Sequence, residues 1–206
     1  MAITAALFDF GGVILSSPFD AFAHYERSRG LPSGLLRRIN ATDPDTNAWA
    51  RLERSEVSLD EFCDLFEAEA LALGHTVEAR QVLGLLSGEL RPEMVEAVRR
   101  CSERLTTALL TNNITGMGER SDEMAAVLAL FDQVVESSQV GVRKPDIRFY
   151  ELACERIGIE PAEAVFLDDL GVNLKPARAM GMTTIKVDDP AQAIDELEKV
   201  VGFPLR

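Results

Sequence analysis

Four apolar runs in this sequence each lead into residues able to do chemistry. ALFDFGGVIL, at 5–14, delivers Asp9 into Phe10-Gly11-Gly12, and the run at 106–110 ends in Thr111-Asn112-Asn113. Gly141-Val142-Arg143-Lys144-Pro145 follows a third run, and Val165-Phe166-Leu167 ends in Asp168-Asp169. A carboxylate at a strand end can be a nucleophile, a metal ligand or a cap on the next turn. Gly11 and Gly12 favour the first two roles, because a glycine pair lets the backbone turn sharply and approach a ligand. Adjacent Asp168 and Asp169 are costly unless a cation compensates them. Magnesium fits that need, as a hard ion that shares oxygen ligands with phosphate and water; the alternative is that one aspartate caps a helix and the other is solvated. Lys144 can balance a nucleophilic carboxylate and a bound anion together. Thr111 and Asn112 offer a hydroxyl and an amide suited to phosphate oxygens, although a simple turn uses the same residue types.

These clusters need a frame that gathers distant points of the chain. Short apolar runs at 3–8, 106–110, 133–136, 164–167 and 183–187 alternate with amphipathic stretches, the pattern of a parallel sheet covered by helices on both faces. Residues 92–101 open with a proline, suited to a first helical turn, and set Met94, Val95 and Val98 on one face. Helices at 146–157 and 173–180 close on Gly158 and Gly181, and a last amphipathic helix covers 191–201. The expected fold is α/β, a Rossmann-like three-layer core whose ligands bind beyond the carboxyl ends of the strands. Residues 16–90 break the rhythm and read as four or five helices, including 58–73, where Ser58 caps and Glu61 stands three residues on. The core domain would then comprise 1–15 and 91–206, with a helical cap domain at 16–90 inserted after the first strand.

Composition narrows the function. The 206 residues are 47% apolar, enough for a substantial core, and the net charge of -13 is spread along the chain. That balance argues against nucleic acid as a partner. The sequence has no unbroken apolar run of membrane-spanning length and no basic region before an apolar stretch at its start, so the expected location is cytoplasmic, away from membranes. Cys63, Cys101 and Cys154 are too scattered for a zinc site and read as buried thiols.

In this order, FDFGGV, LLTNN, GVRKPD and VFLDDLGVN resemble the four motifs of the haloacid dehalogenase superfamily, whose members are mostly magnesium-dependent phosphatases. VFLDDLGVNLKPARAMGMTTIKV and AIDELEKVVGFPL are similar to the N-terminal phosphatase domain of soluble epoxide hydrolases, and FDFGGV to the related domain of an acyl-CoA dehydrogenase-type fusion protein. The chain is expected to stop where that domain stops, without an epoxide-hydrolysing half. The resemblance implies that Asp9 attacks phosphorus and forms an aspartyl-phosphate that water hydrolyses. It implies Mg2+ held by Asp9, Asp169 and the Gly11 carbonyl, with Asp168 on a metal-bound water or orienting Lys144. Thr111, Asn112, Gly12 and Lys144 would contact the phosphate of a small anionic metabolite, and Asn173 would stand behind them.

The resembling phosphatases usually carry a second aspartate two residues after the nucleophile, as general acid and base; here that position is Gly11. Positioned acid–base catalysis is worth roughly 10²- to 10⁴-fold, so phosphates with good leaving groups should be hydrolysed best. A phosphate-binding or regulatory pseudo-phosphatase and a metal-independent 2-haloacid dehalogenase are the alternatives. The insert is expected to act as a lid, hinged at Ser16-Ser17-Pro18 and returning at Arg91-Pro92. Trp49, Arg51, Arg54, His24 and Tyr25 are candidate substrate contacts, although Trp49, Leu52, Leu59, Phe62, Leu65 and Phe66 stand at helical spacing and suit the insert's own core. An apolar lid could also pair two copies into a homodimer.

Overall fold

The computed structural model describes residues 2–115 and 121–206. Its centre is one parallel sheet of β1 (Ala5–Phe8), β2 (Thr106–Thr111), β3 (Gln133–Glu136), β4 (Ala164–Asp168) and β5 (Thr183–Lys186), in the order β3-β2-β1-β4-β5. Side chains along a strand alternate between faces, and the packing follows that period. Ala6, Phe8, Leu109, Val165 and Leu167 meet Met94 and Val98 of α6 (Pro92–Ser102) and Ile194 and Leu197 of α11 (Pro190–Val201). Leu7, Ala108, Leu110 and Phe166 meet Phe149 and Ala153 of α9 (Ile147–Ile157) and Leu174 and Ala177 of α10 (Gly171–Ala179) on the other face. The result is the three-layer α/β sandwich that the sequence pattern implies.

The strand bounds shift by a residue or two from their sequence-based limits. β1 begins at Ala5, whereas β2 and β4 run on to Thr111 and Asp168, because both polar residues keep their register in the sheet. Two helices carry no signal in the sequence pattern, namely α7 (Asp122–Leu128), capped by Ser121, and the single turn α8 (Ser137–Val140).

Between β1 and α6 lie five helices, α1 (Phe19–Ser28), α2 (Leu35–Ala41), α3 (Ala48–Glu53), α4 (Leu59–Ala72) and α5 (Ala79–Gly84). Ser58 and Glu61 form the reciprocal cap that starts α4. Trp49, Phe62 and Phe66 make an aromatic centre with ring centroids 5.2 Å and 5.3 Å apart for the Trp49–Phe62 and Phe62–Phe66 pairs. Burying each such ring contributes about 1.5–3 kcal/mol, so the insert has a core of its own. Its two ends meet at an antiparallel bridge between Leu15 and Leu90, where Ser16 and Glu89 exchange hydrogen bonds and the Arg91 amide donates to the Ile14 carbonyl. No helix among the described residues is long and apolar enough to cross a membrane.

Candidate active site

Register brings the carboxylates together. Phe8 pairs with Leu167, so Asp9, just past β1, and Asp168, the last residue of β4, stand side by side at the sheet's carboxyl edge. The strand order reverses at β1, where an open parallel sheet leaves its crevice.

Asp9 is in extended conformation, and its Oδ1 accepts the Phe10 amide at 2.7 Å. The chain then makes one tight turn over 10–14, closed by the Leu15 amide on the Phe10 carbonyl. Within that turn the two glycines differ. Gly12 has φ of 77°, and a Cβ there would lie 2.3 Å from Asp169 Oδ2, so both its backbone and its neighbour exclude a side chain. Gly11 has ordinary angles of φ −69° and ψ 130°, and a Cβ on it would meet no atom within 4 Å. The Gly12 carbonyl is held by Arg91 Nη1 at 2.6 Å.

Lys144 is 1% exposed, and its ammonium lies 2.8 Å from Asp9 Oδ1 and 2.7 Å from Asp168 Oδ2, above the ring of Phe166. Such a buried cation is tolerable only when its charge is met in place. Its backbone is equally constrained: the Asn112 side chain donates to the Lys144 carbonyl at 3.0 Å and accepts its amide at 2.9 Å, beside a cis Lys144–Pro145 bond. Asp168 is fully buried and accepts from Lys144, from the Leu170 amide and, with both oxygens, from Asn173. The Asn173 carbonyl is in turn held by the Tyr150 hydroxyl at 2.7 Å.

Burial pushes Asp9 up to about 7, against the pull of Lys144 and with the repulsion of Asp168 and Asp169 added. Burial and then Asp168 push Asp169 up to about 6. The two carboxylates hold Lys144 above its usual range despite its own burial. Three carboxylates face one ammonium, with oxygens of Asp9, Asp168 and Asp169 within 4.8 Å of one another. These hard oxygen donors fit a divalent ion such as magnesium. Asp168 is the most engaged of the three, with both oxygens already accepting, and Asp9 and Asp169 are the freer donors toward such an ion.

The structure therefore gathers Asp9, Gly11, Gly12, Lys144, Asp168 and Asp169 at one edge, with Asn173 behind them. Thr111 ends β2 nearby, nearly buried, and its hydroxyl takes no hydrogen bond from the described residues. Asn112 uses one side-chain N–H and its side-chain carbonyl on the Lys144 backbone, which leaves its second side-chain N–H for an anion. Of the insert residues, Trp49 and Tyr25 belong to the insert's core, Arg54 pairs with Glu56, and His24 is exposed. The sequence pattern left Tyr150 and Glu53 without a role; Tyr150 stands on the inner face of α9, which reads as core packing, and Glu53 on a helix far away in sequence.

The haloacid dehalogenase-like hydrolase family matches residues 3–181. The chain is 36% identical over 98% of its length to acyl-CoA dehydrogenase family member 10 of Mus musculus and 32% identical over its whole length to bifunctional epoxide hydrolase 2 of Sus scrofa. It spans only 19% and 40% of those two proteins. It is also 31% identical to a phosphatase of Mycobacterium tuberculosis, covering 95% of this chain and 92% of that one. A haloacid dehalogenase family enzyme from Bacteroides thetaiotaomicron, solved with magnesium and inorganic phosphate, superposes at a TM-score of 0.61, with 18% identity over 93% of this chain and 98% of that one. Matched along most of its length by the family and carrying the charged constellation at the strand ends, the chain belongs to the haloacid dehalogenase-like hydrolases.

Proposed function

We propose that the protein is a magnesium-dependent phosphatase that acts through an aspartyl-phosphate on Asp9. The observation that carries this reading is the Lys144 ammonium shared between Asp9 and Asp168, with the Asp169 carboxylate alongside. Phosphatase relatives such as the Mycobacterium tuberculosis protein support it.

Asp9 Oδ1 already accepts from Phe10 and Lys144, so Oδ2 is the oxygen left to attack phosphorus. The new Oδ2–P bond forms as the bond to the leaving group breaks; water then attacks the same phosphorus, releasing phosphate and restoring the carboxylate. Lys144 balances charge on Asp9 and on the phosphoryl oxygens, while Asp168, fixed by Asn173 and Leu170, holds the lysine in place. Thr111 offers its hydroxyl to the phosphate. Asp9, Asp169 and the Gly11 carbonyl would hold magnesium, which when bound neutralises charge on the transferring group. With glycine at position 11, the departing oxygen has no aspartate beside it to protonate it. Acyl and aryl phosphates, which leave without a proton, are the preferred substrates.

The test is phosphate release from para-nitrophenyl phosphate, acetyl phosphate and a panel of sugar phosphates, with Mg2+ or EDTA, for the wild type and Asp9→Asn. Turnover that needs Mg2+, vanishes in Asp9→Asn and favours the first two compounds is expected. Equal, background release by wild type and variant would turn the site into a phosphate-binding one.

A further inference from the structure

One corner of the insert is fastened to the core beside Lys144. Arg143, the residue before the lysine, meets Glu53 at the end of α3 with Nε 2.6 Å from Oε2, the two side chains 20% and 10% exposed. The same arginine donates from Nη1 to the Pro44 carbonyl at 2.8 Å. Glu53 is itself fixed: its Oε1 accepts the Trp49 indole N–H at 2.9 Å, and its carbonyl accepts the Ser137 hydroxyl at 2.7 Å. Ser137 Oγ also takes the Asn113 amide, next to the asparagine that clasps the Lys144 backbone. Just past α3, Ser55 donates to the Ser138 carbonyl at 3.0 Å and lies 3.2 Å from the Thr115 hydroxyl.

Swinging α3 away from the core would part a desolvated ion pair and break all of these bonds at once. Separating a buried pair leaves each charge uncompensated, a far larger penalty than losing an exposed one. Burial raises Glu53 above the usual carboxylate range and Arg143 opposes that shift, so the carboxylate depends on its partner.

We propose that α3 is a permanent wall of the site and not a moving lid, and that Glu53 and Arg143 are positioning residues which set the Lys144 turn from the insert side. The inference rests on the reading of Lys144 as part of the hydrolytic site. It departs from the lid expected for the insert as a whole, and the packing of Trp49 on Phe62 and Phe66 extends the same tie to α4.

Crosslinking separates wall from lid. In Ser55→Cys/Thr115→Cys, oxidation would tie the end of α3 to the core at two positions outside the catalytic set, while Cys63, Cys101 and Cys154 are buried. The expected result is unchanged para-nitrophenyl phosphate turnover in the oxidised variant. Turnover that is lost on oxidation and recovered with reductant would overturn the proposal, as would failure of the pair to oxidise. For the positioning role, Glu53→Gln and Arg143→Met should each lower kcat about tenfold with KM little changed, since small misplacements of a catalytic group are costly. Arg143→Lys should recover most of that loss. A fall in Tm with kcat per folded molecule unchanged would reduce the pair to a merely structural contact. Should wild-type protein release no phosphate at all, the hydrolytic reading fails by itself, and amide hydrogen exchange decides the wall: slow exchange in α3 upholds it, and exchange as fast as in α1 overturns it.

Discussion

The turn that carries Asp9 is shaped chiefly by its own residues, whereas the turn that carries Lys144 is shaped by residues from elsewhere in the chain. After β1, two glycines, the Phe10 amide on Asp9 and the Leu15 amide on the Phe10 carbonyl set the path, and one distant residue, Arg91, holds the Gly12 carbonyl. Before Pro145, the backbone is held by Asn112, the ammonium by Asp9 and Asp168, and the preceding arginine by Glu53. One turn keeps its form by local geometry and the other by tertiary contacts, so they should respond differently to the loss of a side chain.

The largest effect is expected at the lysine. Lys144→Met leaves Asp9 and Asp168 without their cation and should cost about 3–5 kcal/mol in urea unfolding, along with all turnover. A loss near zero would mean that the two aspartates take up protons and need no counter-charge. Next comes Gly12→Ala, which adds left-handed strain to a collision with Asp169 and should cost about 3 kcal/mol while weakening Mg2+ binding in calorimetry. Asn112→Ala should cost about 2 kcal/mol, because it strips both hydrogen bonds from the Lys144 backbone. If that variant unfolds like the wild type, the lysine turn is local after all and the contrast collapses.

A smaller effect follows from charge. Asp9 and Asp169 are raised to about 7 and about 6, above the ordinary aspartate value of 3.8, so the folded protein binds more protons than the unfolded chain between those limits. Stability contributed by their protonation is present below the ordinary value and lost as pH rises through the folded values. In EDTA the urea midpoint should therefore fall across this window, and added Mg2+ should restore it most on the alkaline side; a gap between the two curves that narrows with pH would refute this assignment. Smallest of all is Gly11→Ala, which fills open space at ordinary backbone angles and should change stability by no more than about 0.5 kcal/mol. Gly11→Asp, in the same space, should speed turnover of alkyl phosphates relative to acetyl phosphate.

The same contrast explains how much the sequence disclosed. Strands buried on both faces read as apolar runs, and each run is followed by its chemical residue, so the sheet and Asp9, Lys144, Asp168 and Asp169 were all legible. The pair Gly11-Gly12 was legible as a turn, but its division of labour was not, since only the position of Asp169 shows which glycine is required. The grip of Asn112 on the Lys144 backbone depends on where the Lys144 loop lies, which no local pattern shows. The Glu53–Arg143 pair joins the insert to the core across many elements, and no local spacing announces such a partnership. α7 and α8 are too short for a helical period to stand out.

The bridge between Leu15 and Leu90 has a consequence for how such a protein can change. Since the five-helix insert leaves and rejoins the core at one point, exchange of that whole segment for another need not disturb the sheet or the charged edge that the strands present. The α3 corner restrains that freedom: a transplanted insert that brings no carboxylate to Arg143 would join correctly at the neck and still leave that arginine without its partner.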